Sequence, residues 1–392
     1  MWLRIFYNRL NDIPTWAISV DLQGVVLSQK LALNLPGICQ SWSMKLFTCG
    51  NCGNLLYFEN SVCLGCGHTV GFDAIQLDLI TITNKGEDVR NGGSSYKLCA
   101  NASFGACNWL IAVDSSSSFC RACELNRTIP TLTDQNFEHW KRIEVAKHRL
   151  IYSLLRLNLP FYPKQEDNDD GLAFNFLADV APGTRTLTGH DNGVITLNIE
   201  EADEAERVRN KLDLGEKYRT LLGHFRHEVG HYYWNVLIKN NSLHEGFREM
   251  FGNENQDYQN ALNTYYIQGP RQDWPHHFIS PYATSHPWED WAESWAHYLH
   301  MMDTLETAYY FELGVHTEKL MTRTNGNAKI NHDPYTLPEF GQVFDHWLPL
   351  THAVNSLSRS MGHEDFYPFV IAPGVVRKLE FIHRICRSLL VS

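Results

Sequence analysis

The sequence predicts an α+β fold in which a small N-terminal β module precedes a mostly helical domain. Three observations predict it. Eight of the ten cysteines fall between Cys49 and Cys123, among glycines and short apolar runs. From residue 134 onward apolar residues return at helical spacing. Between these regions lie short strand-like segments, followed by a helical stretch, Lys217–Ile238, that contains His227-Glu-Val-Gly-His231.

At 392 residues, with 44% hydrophobic, 12% aromatic and 20% charged residues, the chain has material for two or three well-cored domains. The net charge of −11 argues against a general nucleic-acid binder, which presents a basic face. No apolar run reaches the roughly 20 residues that cross a membrane. Arg4 and Arg9 give the N-terminus a basic start, but Asp12, Pro14, Asp21 and Gln23 interrupt the apolar core of a secretory signal. A cytoplasmic protein without membrane association is therefore expected. Residues 1–43 are expected to be a peripheral extension or an upstream start ahead of Met44. Residues 44–130 then form the cysteine-rich module and residues 131–392 the helical domain.

Cys49-Gly-Asn-Cys52 and Cys63-Leu-Gly-Cys66 are two knuckles ten residues apart. Each is a tight turn that aims two thiolates at one point, and together they complete a tetrahedral Cys₄ zinc site. Gly50, Gly53, Gly65 and Gly67 suit left-handed turn positions, and Leu55–Phe58 reads as a short strand. The pattern is that of a zinc ribbon. A lone C-x-x-C would leave a redox pair or a disulfide open; two paired ones in a cytoplasmic chain do not. Gly53 and Gly67 stand where c-type haem attachment needs a histidine. A second set, Cys99, Cys107, Cys120 and Cys123, has unusual spacing, yet four cysteines so close favour a second structural zinc. The alternative is that Cys99 and Cys107 are ordinary buried thiols. Cys39 and Cys386 belong to neither set. Between Met44 and Arg127, six basic residues face seven acidic ones. A module without excess positive charge suits protein docking or substrate guidance better than nucleic acid.

Residues 134–157 carry Phe137, Trp140, Ile143, Leu150, Leu154 and Leu157 on one broad helical face, behind a Thr133-Asp134 cap. Glu166–Asp170 reads as a solvated acidic loop. Strands are expected at Leu172–Leu177, Thr184–Thr188 and Val194–Ile199, and Glu200–Glu206 opens a helix at the end where acids favour the dipole. Val194–Ile199 alternates apolar and polar residues. It is either an ordinary core strand or a sheet edge able to hold an extended peptide.

In His227-Glu-Val-Gly-His231 two imidazoles four residues apart project from one helical face, close enough to share one zinc ion. Glu228 then lies beside the open position of the metal, where it can take a proton from water. Such a core is the working part of a zincin metallopeptidase. Gly230 costs the helix about 1 kcal/mol relative to alanine, which implies a close neighbour. The metzincin solution needs a histidine six residues beyond His231, and Leu237 occupies that place. The third ligand must come from elsewhere. Glu289, Glu293 and His297 recur four residues apart beside Trp288, Trp291 and Trp295, so that one carboxylate can bind zinc while the next accepts a hydrogen bond from a ligand imidazole. Further helices are expected at Leu305–Leu320, Phe340–Leu357 and Val375–Leu390; His276, His277, His297 and His300 receive no catalytic role.

Met44–Cys52, Cys107-Asn-Trp-Leu110, Thr188–Gly193, Leu221–Glu228 and Trp291–His300 resemble the bacterial zinc-binding metallopeptidases, built as a ribbon followed by a zincin-like domain. The resemblance runs from Met44 through most of the chain. It implies a gluzincin-like peptidase fold with zinc and leaves the substrate open. Glu289-Asp-Trp-Ala-Glu293 is also similar to the ligand helix of lethal-factor-type gluzincins. That likeness implies Glu289 as third ligand, Tyr282 as a group facing the metal, and Glu293 as the residue that orients a ligand histidine. In zincins the strand in the place of Val194–Ile199 is the exposed edge, one of the two readings left open for it, and the long interval from His231 to Glu289 makes residues 240–285 an expected insertion over the cleft. The expected cofactors are one catalytic zinc and one or two structural zinc ions. The expected partners are a polypeptide substrate and a protein docked at the ribbon. A non-catalytic zinc-binding protein and a ribbon-directed regulatory factor are the alternatives.

Overall fold

Cysteine knuckles and tight hairpins leave room only for short strands, and the N-terminal region is built accordingly. The computed structural model describes residues 45–165, 170–179, 188–213, 220–316 and 328–391, all within one compact unit, Ser41–Ser392. The expectations for residues 1–43, for Glu166–Asp169 of the acidic loop, for Thr184–Leu187 and for Lys217–Arg219 lie outside the described residues. In the ribbon, β1 (Phe47–Thr48) pairs antiparallel with β2 (Leu55–Leu56), β3 (Thr69–Asp73) with β4 (Asp78–Ile82), and β5 (Tyr96–Leu98) with β6 (Leu110–Ala112). Gly53 (φ +72°) and Gly67 (φ +74°) supply the left-handed turns of the knuckles, while Gly50 and Gly65 are not in that conformation.

The ribbon does not keep its core to itself. Phe58 and Phe72 lie 5.2 and 5.7 Å from the ring of Tyr152, which belongs to α1 (Asp134–Arg156). β7 (Asn126–Thr128), at the end of the cysteine-rich segment, is a strand of the next sheet. That sheet has the order β7-β8-β10-β9, with β8 at Ala173–Leu177, β9 at Gly189–Asp191 and β10 at Val194–Asn198. β7, β8 and β10 run parallel, and β9 returns antiparallel along β10.

Of the two readings open for Val194–Ile199, sheet edge or core strand, the structure takes the core strand. Val194–Asn198 is an interior strand, and the edge position goes to Gly189–Asp191. The cause is local: Asn192 (φ +43°) and Gly193 (φ +79°) form a two-residue turn with both residues left-handed, which folds β9 back onto β10. One face of β8 and β10 presents Phe174, Phe176, Ile195 and Leu197 to the core, with Phe174 5.6 Å from Phe225 of the helix behind.

After α2 (Glu204–Asp213) comes α3 (Leu221–Tyr233), the helix that carries the histidine pair. Thr220 caps it by accepting a hydrogen bond from Gly223 N at 3.0 Å. Its expected continuation to Ile238 winds into a π turn over Trp234–Ile238. Then follow α4 (His244–Phe251), α5 (Tyr258–Gln268), α6 (Trp274–His277) and α7 (Pro287–Tyr310). In α7, Pro287 takes the first position and the His286 ring accepts from Trp288 N at 3.1 Å. α7 also corrects the expected Leu305–Leu320 helix, because residues 305–310 are its last turns. Glu312 at φ +53° and the Leu313 N–H to Ala308 O bond at 2.8 Å close it there. α8 (Phe340–Ser360) and α9 (Pro373–Val391) complete the chain. The architecture is α+β, with a ribbon of small strands followed by a mostly helical remainder. Among the described residues no helix is long and apolar enough to cross a membrane.

α3 and α7 meet at Gly230. A Cβ there would stand 2.9 Å from Ala292 Cα and 3.2 Å from Trp295 Cβ, so any larger residue would force the helices apart. Trp291 Nε1 donates to Gly230 O at 2.8 Å and fixes their register. That contact sets Glu289 and Glu293 opposite His227 and His231.

Candidate metal centres

The helix spacing puts His227 and His231 on one face of α3, and their Nε2 atoms lie 3.3 Å apart. Across the Gly230 contact, Glu289 Oε2 stands 3.0 Å from His227 Nε2 and Glu289 Oε1 3.5 Å from His231 Nε2. Tetrahedral zinc with bonds of about 2.0–2.1 Å holds its donors about 3.3 Å apart, which these separations match. Glu289 is buried at 1% exposure, and its Oε2 has no hydrogen-bond donor among the described residues. A buried carboxylate oxygen facing two imidazole nitrogens is the donor set a cation requires. Burial alone would raise the Glu289 carboxyl, but the histidines outweigh it and hold the group well below the usual carboxylate range.

Around this point the structure gathers further polar groups. Glu293 Oε1 lies 2.7 Å from His227 Nδ1, and Glu293 Oε2 accepts from Ser280 Oγ at 2.6 Å. Tyr258 Oη donates to Glu289 Oε1 at 2.7 Å. The Tyr282 ring sits 6.1 Å from that of His227, and burial, with Glu289 and Glu228 nearby, drives its phenol far above the ordinary value. It therefore stays a hydrogen-bond donor. Glu228 is buried beside the pair. Burial pushes its carboxyl up, but His224, whose Nε2 is 3.2 Å away, and the two site histidines bring it net downward. The His190 ring stacks on His231 at 6.1 Å, and burial, with His231 beside it, lowers it to about 4. His297 turns away, sharing a 2.7 Å hydrogen bond with the Tyr367 hydroxyl.

Sequence reasoning passed over Tyr258, Ser280, His190 and His224. Tyr258 and Ser280 lie in the 240–285 segment, where no spacing marks them, and Tyr265 of α5 packs 5.8 Å from Tyr282, so this segment forms part of the site wall. His224 did leave a signal, four residues before Glu228 on the same helix.

The cysteines gather into two further clusters, Cys49, Cys52, Cys63 and Cys66, and Cys99, Cys107, Cys120 and Cys123. Sulfur separations of 3.6 Å for Cys49–Cys66 and Cys52–Cys63, and 3.7 Å for Cys107–Cys120, fit the roughly 3.8 Å between thiolates on one zinc. In the second cluster Cys99 and Cys107 are members rather than separate thiols. It is backed by α1, with His148 Nε2 3.6 Å from Cys123 Sγ and His148 Nδ1 2.6 Å from Glu144 O. Cys386 is buried away from both clusters. Cys39 lies outside the described residues.

Residues 136–385 match the model of a family described as "Putative zinc-binding metallo-peptidase", and residues 46–134 match that of a zinc-ribbon domain. Similar relatives include one protein of Mycobacterium bovis and one from each of two strains of Mycobacterium tuberculosis, all named as uncharacterized proteins. Each is 40% identical over 344 residues, covering 87% of this chain and 95% of the relative. No solved structure matches the chain.

Proposed function

The chain belongs to this zinc-binding metallo-peptidase family, and on that premise we propose that it hydrolyses peptide bonds at the His227–His231–Glu289 centre with Glu228 as general base. One observation carries the reading: three donors from two helices meet at zinc spacing beside a buried carboxylate, Glu228, the residue after His227 on the same helix. A purely structural site closes all four positions with protein groups, as both cysteine clusters do, whereas three donors leave a corner for water.

When bound, zinc supplies Lewis acidity, lowering the pKa of a coordinated water to about 7 and polarising a carbonyl oxygen. The chain's own residues do the rest. Glu228 takes the proton from the attacking water and returns it to the leaving amine. Tyr282 donates a hydrogen bond to the carbonyl oxygen as charge builds there, a contribution of about 3 kcal/mol for one such donor. Glu293 accepts from His227 Nδ1–H and so leaves the Nε2 lone pair facing the centre. Tyr258 restrains Glu289 through Oε1.

Glu228→Gln tests the reading. With an unstructured polypeptide as substrate, turnover should fall by about 10²–10⁴-fold, the scale of a lost general base, with zinc content unchanged. A variant that cleaves as fast as the parent would remove Glu228 from the role. A zinc-loaded parent that cleaves no polypeptide would favour a non-catalytic zinc protein.

A further inference from the structure

Thr188 and the Leu221–Glu228 helix start are distant in sequence, yet two hydrogen bonds and an ion-pair contact join them. His224 sits one turn before Glu228 with both ring nitrogens engaged. Nε2 is 3.2 Å from Glu228 Oε1, and Nδ1 is 2.7 Å from Glu201 Oε2. Glu201 lies in the turn Ile199–Ala202 that follows β10, and its Oε1 accepts from Thr188 Oγ1 at 2.7 Å. Arg207 Nη1 donates to the Glu201 carbonyl at 2.8 Å, and Asn198 closes the turn by accepting from Glu200 N at 3.0 Å. Glu201 and Glu228 are each 6% exposed.

We propose that His224 is a positioning residue for Glu228, clamping its carboxylate to the sheet through a Glu201–His224–Glu228 relay. The inference rests on the peptidase reading for its consequence, but the relay itself is a matter of geometry. An imidazole between two carboxylate oxygens donates from both nitrogens, which requires both to carry protons. Burial opposes that charge, but Glu201 and Glu228 outweigh it and raise His224 to about 9.

The clamp has two effects. It occupies Oε1 of Glu228 and fixes the carboxyl plane, which leaves Oε2 as the oxygen for water. It also places a positive charge against the base, which favours release of the proton to the leaving amine once Glu228 has taken it. Glu201 supplies the anchor: its backbone is held by Arg207 and its far oxygen by Thr188, so the ring cannot swing with the helix side chain alone.

The test uses full-length, zinc-loaded protein. His224→Ala should lower kcat by about 10–100-fold, the scale of lost outer support, with KM within about twofold and zinc content unchanged. His224→Gln, which keeps a donor near the Nε2 position, should restore part of that loss. Glu201→Gln should slow the parent, yet add nothing in the His224→Ala background, since Glu201 then has no route to Glu228. Unchanged kcat in His224→Ala, or additive losses in the double variant, would overturn the relay. A readout independent of turnover accompanies it. In ¹⁵N-histidine-labelled protein, with and without zinc, the His224 imidazole should carry protons on both nitrogens at neutral pH. Its signals should vanish in His224→Gln and shift in Glu201→Gln. If the parent cleaves nothing, the peptidase reading fails and the ring signals alone decide the relay. If the parent cleaves but those signals are missing, the relay fails and the peptidase reading stands.

Discussion

The knuckle cluster at Cys49–Cys66 and the centre shared by α3 and α7 gather donors at opposite ranges of sequence. The knuckles bring four sulfurs together from two turns of one short segment, each turn helped by a left-handed glycine. Little beyond the segment is needed, and the protein itself fills every coordination position. At the helical centre two donors come from one turn of α3, and the third arrives from Glu289, far along the chain. The helical centre is also surrounded by groups outside its three-donor set, among them the buried Glu228 and the half-buried Tyr282 and Glu293. A closed, local site suits holding a small module together, since so short a segment cannot build a large core. A long-range set of three donors suits the proposed chemistry, because the groups around it come from several different elements. The second cysteine cluster stands between them, local in its ligands but backed by His148 and Glu144 of α1.

Three experiments can break or sharpen that contrast. The largest effect is expected from Cys63→Ser. Binding at structural zinc sites supplies about 10–16 kcal/mol that is also folding free energy, so losing one knuckle donor should unfold the first hairpins. Metal analysis should fall from three zinc ions per chain to two, and limited proteolysis should cut within the ribbon. Loss of zinc from the helical centre as well would show that the two sites are not independent. Glu289→Ala comes next. The same metal analysis should show only the helical zinc missing, with an unchanged far-UV spectrum and turnover lowered by more than the roughly 10–100-fold typical of an outer group. Retention of tight zinc would mean that another residue supplies the third donor. The smallest effect is expected from Glu293→Gln, which keeps the shape but weakens the acceptor on His227 Nδ1. Chelator competition should report zinc held about 10–100-fold less tightly at the helical centre alone.

The cysteine clusters were legible because their ligands are neighbours in sequence and turn geometry is local. The face shared by His227 and His231 was legible because helical periodicity is also local. Gly230 announced a close approach, and α7 lies against it. The Asn192-Gly193 turn was a readable hairpin signal whose consequence, an edge at Gly189–Asp191, would have settled the strand after it as interior, where sequence alone left edge and core both open. The end of α7 was misplaced for a related reason. Apolar spacing continues past Tyr310, and only the left-handed Glu312 breaks the helix. Tyr258 and Ser280 carried no pattern at all, because a single hydroxyl becomes a partner only when packing delivers it to a carboxylate.

By itself, the order of residues determined what is set within a few positions: the cysteine knuckles, the histidine pair, the periodic helices and the α+β character of the chain. Tertiary structure alone decided which strand lies at the edge, how the ribbon shares its aromatic core with α1, and which groups surround Glu228. The physical reason is range. Turn and helix geometry act over one to four residues, whereas the meeting of Glu201, His224 and Glu228 depends on how a sheet, a turn and a helix pack. That packing is set by the burial of side chains such as Phe174, Phe225 and Trp291, whose contacts no local pattern specifies.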